Sequence, residues 1–157
     1  MRMRKYALSL VLLGSALFAL PAAPAQAQAG GCGAQMDTRK GIAGGLAGVV
    51  WRLCLEDGAQ PHGSLTADCR VAAPFWLSIP CAVKGRFEIQ KNGNLVVSGP
   101  FTASSDLNGH TEVSDIFSFQ CKGPGVYGFA VKDAVYTFPI VGTVAVPDAF
   151  VAVTNAC

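Results

Sequence analysis

The sequence predicts an all-β fold, an antiparallel sandwich stapled by disulfides. Three observations carry that prediction. Short apolar stretches recur along the chain, separated by clusters of Gly, Pro, Asn and Asp, as in a protein built from strands and tight turns. Several of these stretches alternate apolar and polar residues with period two, the pattern of a strand with one buried face. Six cysteines, Cys32, Cys54, Cys69, Cys81, Cys121 and Cys157, form an even set behind what reads as an export signal, and that combination marks a disulfide framework.

The export signal comes first. Arg2, Arg4 and Lys5 precede an apolar run of 14 residues from Ala7 to Leu20. A membrane-spanning helix needs about 20 such residues, so the run suits a cleaved leader better. Pro21 and Pro24 end it, and Ala25-Gln26-Ala27 or Ala27-Gln28-Ala29 fits the small-residue cleavage rule. Residues 1–29 are therefore expected to be a signal peptide and residues 30–157 a single domain, with no membrane span in the mature chain and a periplasmic or extracellular location. Lipidation at Cys32 is disfavoured, because Ala29-Gly30-Gly31 lacks the usual leucine and would leave an odd five cysteines to pair. Without the three leader charges, nine basic residues face ten acidic ones, so no basic excess points to nucleic acid or to an acidic surface.

The domain then reads as a series of strands. Gly41 to Gly48 is glycine-rich and resists a helix, and Val49, Trp51, Leu53 and Leu55 fall on one face of a strand that follows it. Glu56 to Ser64 reads as a loop containing His62, and Leu65 to Val71 as a short strand. Pro74 and Pro80 bracket Phe75-Trp76-Leu77-Ser78-Ile79, which confines that piece to a sheet edge or an irregular segment. Cys69 and Cys81 flank it and are placed to close it as a small loop. Arg86 to Ser98 carries the clearest hairpin, with Phe87 and Ile89 alternating with Glu88 and Gln90, then an Asn92-Gly93 turn of the type that needs positive φ at both positions. Residues 102–110 are polar and predict a loop. Ile140 to Val146 and Phe150 to Val153 add two further strands.

The stretch from Thr111 to Phe138 is the richest in aromatics. Phe117, Phe119 and Cys121 alternate with Ser118 and Gln120, which predicts a strand over 113–121, ended by Lys122-Gly123-Pro124-Gly125. Val126 to Val131 and Ala134 to Phe138 are predicted to be two strands of a hairpin turning at Lys132-Asp133, with Tyr127 facing Phe138 and Phe129 facing Tyr136. Asp115, Phe117 and Phe119, followed by Pro124-Gly125-Val126-Tyr127, resemble the E–F corner of immunoglobulin-like sandwiches. That resemblance, over residues 113–131, implies an immunoglobulin-like β-sandwich and a corner tyrosine bonded to backbone upstream. Phe129 stands where the antibody pattern has its second cysteine. The resemblance is to a superfold with many functions and assigns no activity.

Fifteen pairings of six cysteines are open. Placement favours Cys69 with Cys81, Cys32 with Cys157 at the two mature ends, and Cys54 with Cys121 between sheets, with Cys121–Cys157 as an alternative. Zinc is disfavoured, since there is no C-x-x-C and His62 and His110 lie far apart. No cofactor motif and no hydrolase, metalloprotease or phosphate-binding signature occurs in the sequence. His110, near Asp106, Glu112 and Ser114, is the best seed for acid–base chemistry, but a loop histidine beside carboxylates is more often merely solvated. Phe75 and Trp76, between prolines, form either a core plug or an exposed binding wedge. The expected function is that of a secreted bacterial binding or structural module, acting on a protein or a cell-envelope partner, with no catalytic residue and with Phe75, Trp76 and His110 as binding candidates. An exported enzyme inhibitor, or an enzyme using His110 with a loop carboxylate, are the alternatives.

Overall fold

The structure is a computed structural model that describes residues 31–154, apart from 59, 73 and the side chain of 115. The expected signal peptide and Cys157 lie outside the described residues.

The described chain is all-β, in two antiparallel sheets that share one core. The first sheet is centred on β3 (Gly45–Glu56) and β4 (His62–Ala72). Two short strands in series, β1 (Gly31–Cys32) and β2 (Met36–Ile42), line the free side of β3. Two more in series, β5 (Trp76–Ser78) and β8 (His110–Val113), line the free side of β4. The second sheet runs β7 (Asn94–Ser104), β6 (Ala82–Lys91), β9 (Val126–Phe138), and then β10 (Gly142–Ala145) and β11 (Ala149–Thr154) in series along β9.

Val49, Trp51, Leu53 and Leu55 point inward from β3, as their alternation predicts. From the second sheet Val83, Phe87 and Ile89 of β6 and Tyr127, Phe129 and Val131 of β9 complete the core. The sheets approach closely at Gly63, where a Cβ would stand 2.9 Å from the Phe129 ring. The Asn92-Gly93 hairpin is formed, with φ of 50° and 80° at the two turn residues. The Pro-bounded segment is the three-residue edge strand β5. The glycine-rich stretch hides a hairpin, β2 to β3, that turns at Ala43-Gly44.

The aromatic stretch differs from its prediction in two ways. Val126 to Phe138 is one strand of 13 residues, not a hairpin. Lys132-Asp133 is a bulge: between Arg86↔Lys132 and Lys84↔Val135 the β9 side holds one residue more than β6. Asp133 takes φ 52°, and its N–H donates to the Asp148 carboxylate at 3.0 Å. The bulge moves the buried set from Tyr127, Phe129 and Val131 to Ala134, Tyr136 and Phe138. That shift of parity is what a two-residue turn would also produce in the sequence. Gly85 faces the bulge, where a Cβ would stand 3.2 Å from Ala134 Cα and Lys132 O. Second, 113–121 is not a strand. β8 ends at Val113, and a 3-10 turn over Asp115–Phe117 drops the Phe117 ring between the sheets, with ring centres 5.2 Å from Phe87, 5.3 Å from Phe101 and 4.9 Å from Phe129. A ring buried on this scale gains more than a continued ladder on an already paired edge. The predicted loop over 102–110 is shorter, since β7 runs to Ser104 and β8 starts at His110.

Cys69 is bonded to Cys81, joining β4 of one sheet to the entry of β6 in the other. Cys32 is bonded to Cys54, its register partner on β3. This corrects the Cys32–Cys157 and Cys54–Cys121 pairings: the two-residue strand β1 is too short to signal in sequence, yet it lays Cys32 beside Cys54. Cys121 is also disulfide-bonded. This bonding places the chain in an oxidising, extracytoplasmic environment. Among the described residues no helix is long and apolar enough to cross a membrane.

Candidate functional site

The outer face of the first sheet gathers the polar and aromatic residues that the core does not use. On β2, β3 and β4 the residues that alternate with the buried ones are Asp37 and Arg39, Gly48 and Val50, and Asp68 and Arg70, and register puts them side by side. β5 adds Trp76 opposite Ala72, and β8 adds His110 opposite Asp68.

Trp76 is the most constrained of these. Its ring lies over Gly48, where a Cβ would stand 3.2 Å from Cζ3 and Cη2. The Arg70 and Arg39 guanidinium carbons stand 4.7 Å and 5.3 Å from the ring centre. Asp37 ties the two arginines together, accepting from Arg39 Nη2 at 2.6 Å and Arg70 Nη2 at 2.9 Å. Hydrogen bonding from Arg39, with the Arg39 and Arg70 charges, holds the Asp37 carboxyl below its ordinary value. The ring is thus held in place while remaining 36% exposed, and its neighbours Phe75 and Leu77 are 72% and 56% exposed. Of the two sequence readings of Phe75-Trp76, the exposed segment is the one observed and the core plug is not.

His110 lies on the same face, farther along the same edge of β4. Its Nδ1 and Asp68 Oδ1 are 2.8 Å apart, and its backbone N–H donates to the Asp106 carboxylate at 2.8 Å. The Asp68 hydrogen bond, with the nearby charges of Asp68, Asp106 and Glu112, raises the imidazole above its ordinary value. Beside the pair is a shallow depression of about 120 Å³ lined by Gln35, Val50, Arg52, Thr66, Asp68 and His110. Asp68 is the partner that sequence proximity missed, 42 residues away from His110. Opposite Asp68 and Ala72, His110 and Trp76 are four residues apart along β4, or roughly 13 Å at strand spacing. The face therefore holds two separate places, not one site. His62 begins β4, paired with Glu56, with 3.6 Å between His62 Nε2 and Glu56 Oε2. Among the described residues no group of three or more His, Cys, Asp and Glu side chains is placed to hold a metal ion.

The corner tyrosine is present as a local feature. Tyr127 OH donates to Gly123 O at 2.8 Å and accepts from Lys122 N at 3.0 Å. Comparison of the chain with protein families, with curated proteins and with solved structures finds no match.

Proposed function

We propose that the protein is an exported binding module, acting by docking rather than by catalysis, through the end of the first sheet that carries Phe75 and Trp76. The observation that supports this most is the treatment of Trp76. An exposed tryptophan held by two arginines and a carboxylate loses little freedom when a partner covers it, which is what an interaction anchor requires. Exposed Phe75 and Leu77 extend the anchor into a patch of the kind that marks interaction sites. The partner is a protein or a cell-envelope component. Residues 1–29 act as the signal peptide in this reading, and the processed chain resides in the periplasm or outside the cell; the disulfides support that location. The Tyr127 corner supports an immunoglobulin-like reading of the sandwich.

A photo-crosslinking residue placed at Phe75 in the producing cell tests the proposal, with the same residue at Leu95 as control. Leu95 is exposed beside the Asn92-Gly93 turn, at the other end of the sandwich. Discrete adducts from position 75 and none from position 95 are expected. Absence of adducts from both positions, or equal adducts, overturns the reading.

One observation favours a second reading, catalysis at His110. Asp68 holds Nδ1 as an orienting carboxylate does in a nucleophilic triad.

A further inference from the structure

We infer that the Phe75 end of the molecule docks onto an anionic lipid surface, inserting apolar side chains between basic ones. This rests on the binding-module reading and names the partner's chemistry. Pairing brings three separate segments to one end of the sandwich. β5 pairs with the last residues of β4, β3 begins there at Gly45, and Lys40 of β2 donates to Thr143 O of β10 at 2.8 Å, next to the turn between β9 and β10. Each segment presents a large apolar side chain to solvent: Leu46 at 39%, Phe75 and Leu77 as given above, and Ile140 at 91%.

Side chains projecting from separate tips form a rim around the end of the sandwich, and a rim fits a plane. The charges at this end agree with a bilayer. Arg39, Lys40, Arg70 and Lys84 lie there, against three acids that are each already engaged: Asp37 bridges the two arginines, Asp68 is 2.8 Å from His110 Nδ1, and Asp106 accepts from Asn108 N and His110 N. An open groove of about 450 Å³ on the second sheet at the same end is lined by Ala82, Val83 and Ala103 together with Lys84, Thr102, Ser104 and Thr137, apolar surface beside one ammonium and three hydroxyls. Aromatic and aliphatic side chains flanked by Lys and Arg are the general chemistry of interfacial membrane binding.

The chain has two tryptophans, Trp51 in the core and Trp76 at this end, so Trp76 emission reports contact. The oxidised protein, with its N-terminus verified, is mixed with phosphatidylcholine vesicles with and without phosphatidylglycerol. Co-sedimentation with the anionic vesicles is expected, together with a blue shift of Trp76 emission and weakening at high salt. Phe75→Ser with Leu77→Ser should lower the partition at least about tenfold, while Leu95→Ser leaves it unchanged. Both variants share the parent's verified N-terminus, so any contribution from it cancels. Absence of partition, equal partition into neutral vesicles, or a double variant that partitions like the parent overturns the lipid assignment. A dimer that the double variant dissolves, without vesicle binding, gives the same end to a second copy; it overturns the lipid assignment and leaves the binding-module reading standing.

Discussion

The Arg70 guanidinium carbon stands 4.7 Å from the centre of the Trp76 ring, and its Nη2 donates to Asp37 at 2.9 Å. Arg70 therefore links an edge strand to β2 across the whole width of the first sheet. Lysine keeps the charge but cannot both stack on the ring and reach the carboxylate with a planar fork. Arg70→Lys is expected to leave the fold intact, to shift Trp76 emission to the red and to increase its quenching by iodide. The stability loss should be about 1 kcal/mol or less, as for an exposed cation–π contact. An unchanged quenching constant would show that the arginines do not hold the ring.

The two described disulfides should reduce in order. Cys32 is exposed at the sheet edge, whereas Cys69 and Cys81 are buried in the core. Partial reduction with alkylation and peptide mapping should find Cys32 and Cys54 labelled first, with Cys69 and Cys81 labelled only as the protein unfolds. The same mapping without reductant is expected to link Cys121 to Cys157, the one cysteine left. A bridge contributes roughly 2–4 kcal/mol against a net stability of about 5–15 kcal/mol, so full reduction should lower Tm sharply. An unchanged Tm would remove the bridges from any role in stability.

Gly109 should be intolerant of a side chain. It sits at the seam where β5 gives way to β8 along β4, with φ 76°, and a Cβ would stand 2.5 Å from Ile79 O and 2.6 Å from Cys69 O. Both contacts are backbone and cannot swing away. Gly109→Ala is expected to cost more than about 2 kcal/mol by chemical denaturation, whereas Gly41→Ala, with nothing within 4 Å, should be nearly neutral. Equal effects would contradict the packing of that seam.

His110 should contribute to stability in a pH-dependent way without catalysing anything. Its pKa is raised in the folded state, so the contribution is fully present below the unfolded-state pKa and is lost as pH rises through the folded value. The side chains of His110 and Asp68 are 50% and 60% exposed, which limits the pair to about 1 kcal/mol or less. His110→Ala should therefore lower stability slightly at pH 5 and not at pH 8.5, with binding retained. Loss of a turnover activity with the fold intact would favour the enzyme reading instead.

The processed protein should begin between Gln28 and Gly30, read by intact mass. A retained leader or an added lipid mass would contradict the export reading of residues 1–29.

What the sequence determined by itself was local. The inward set of β3, the Asn92-Gly93 turn, the edge character of the segment between Pro74 and Pro80 and the Cys69–Cys81 closure all follow from residue alternation, turn chemistry or short spacing, which act within a dozen residues. The tertiary structure decided the rest. A parity shift in an aromatic run reads equally well as a turn or a bulge, and only the pairing of β9 with β6, opposite Gly85, selects the bulge. Phe117 left its predicted strand because a gap between the sheets was there to fill. Cys32 met Cys54, Asp68 met His110, and Arg70 met Asp37 and Trp76 because strand register joins positions that the chain keeps apart, and register is set by the whole packed sheet and not by any one stretch of it.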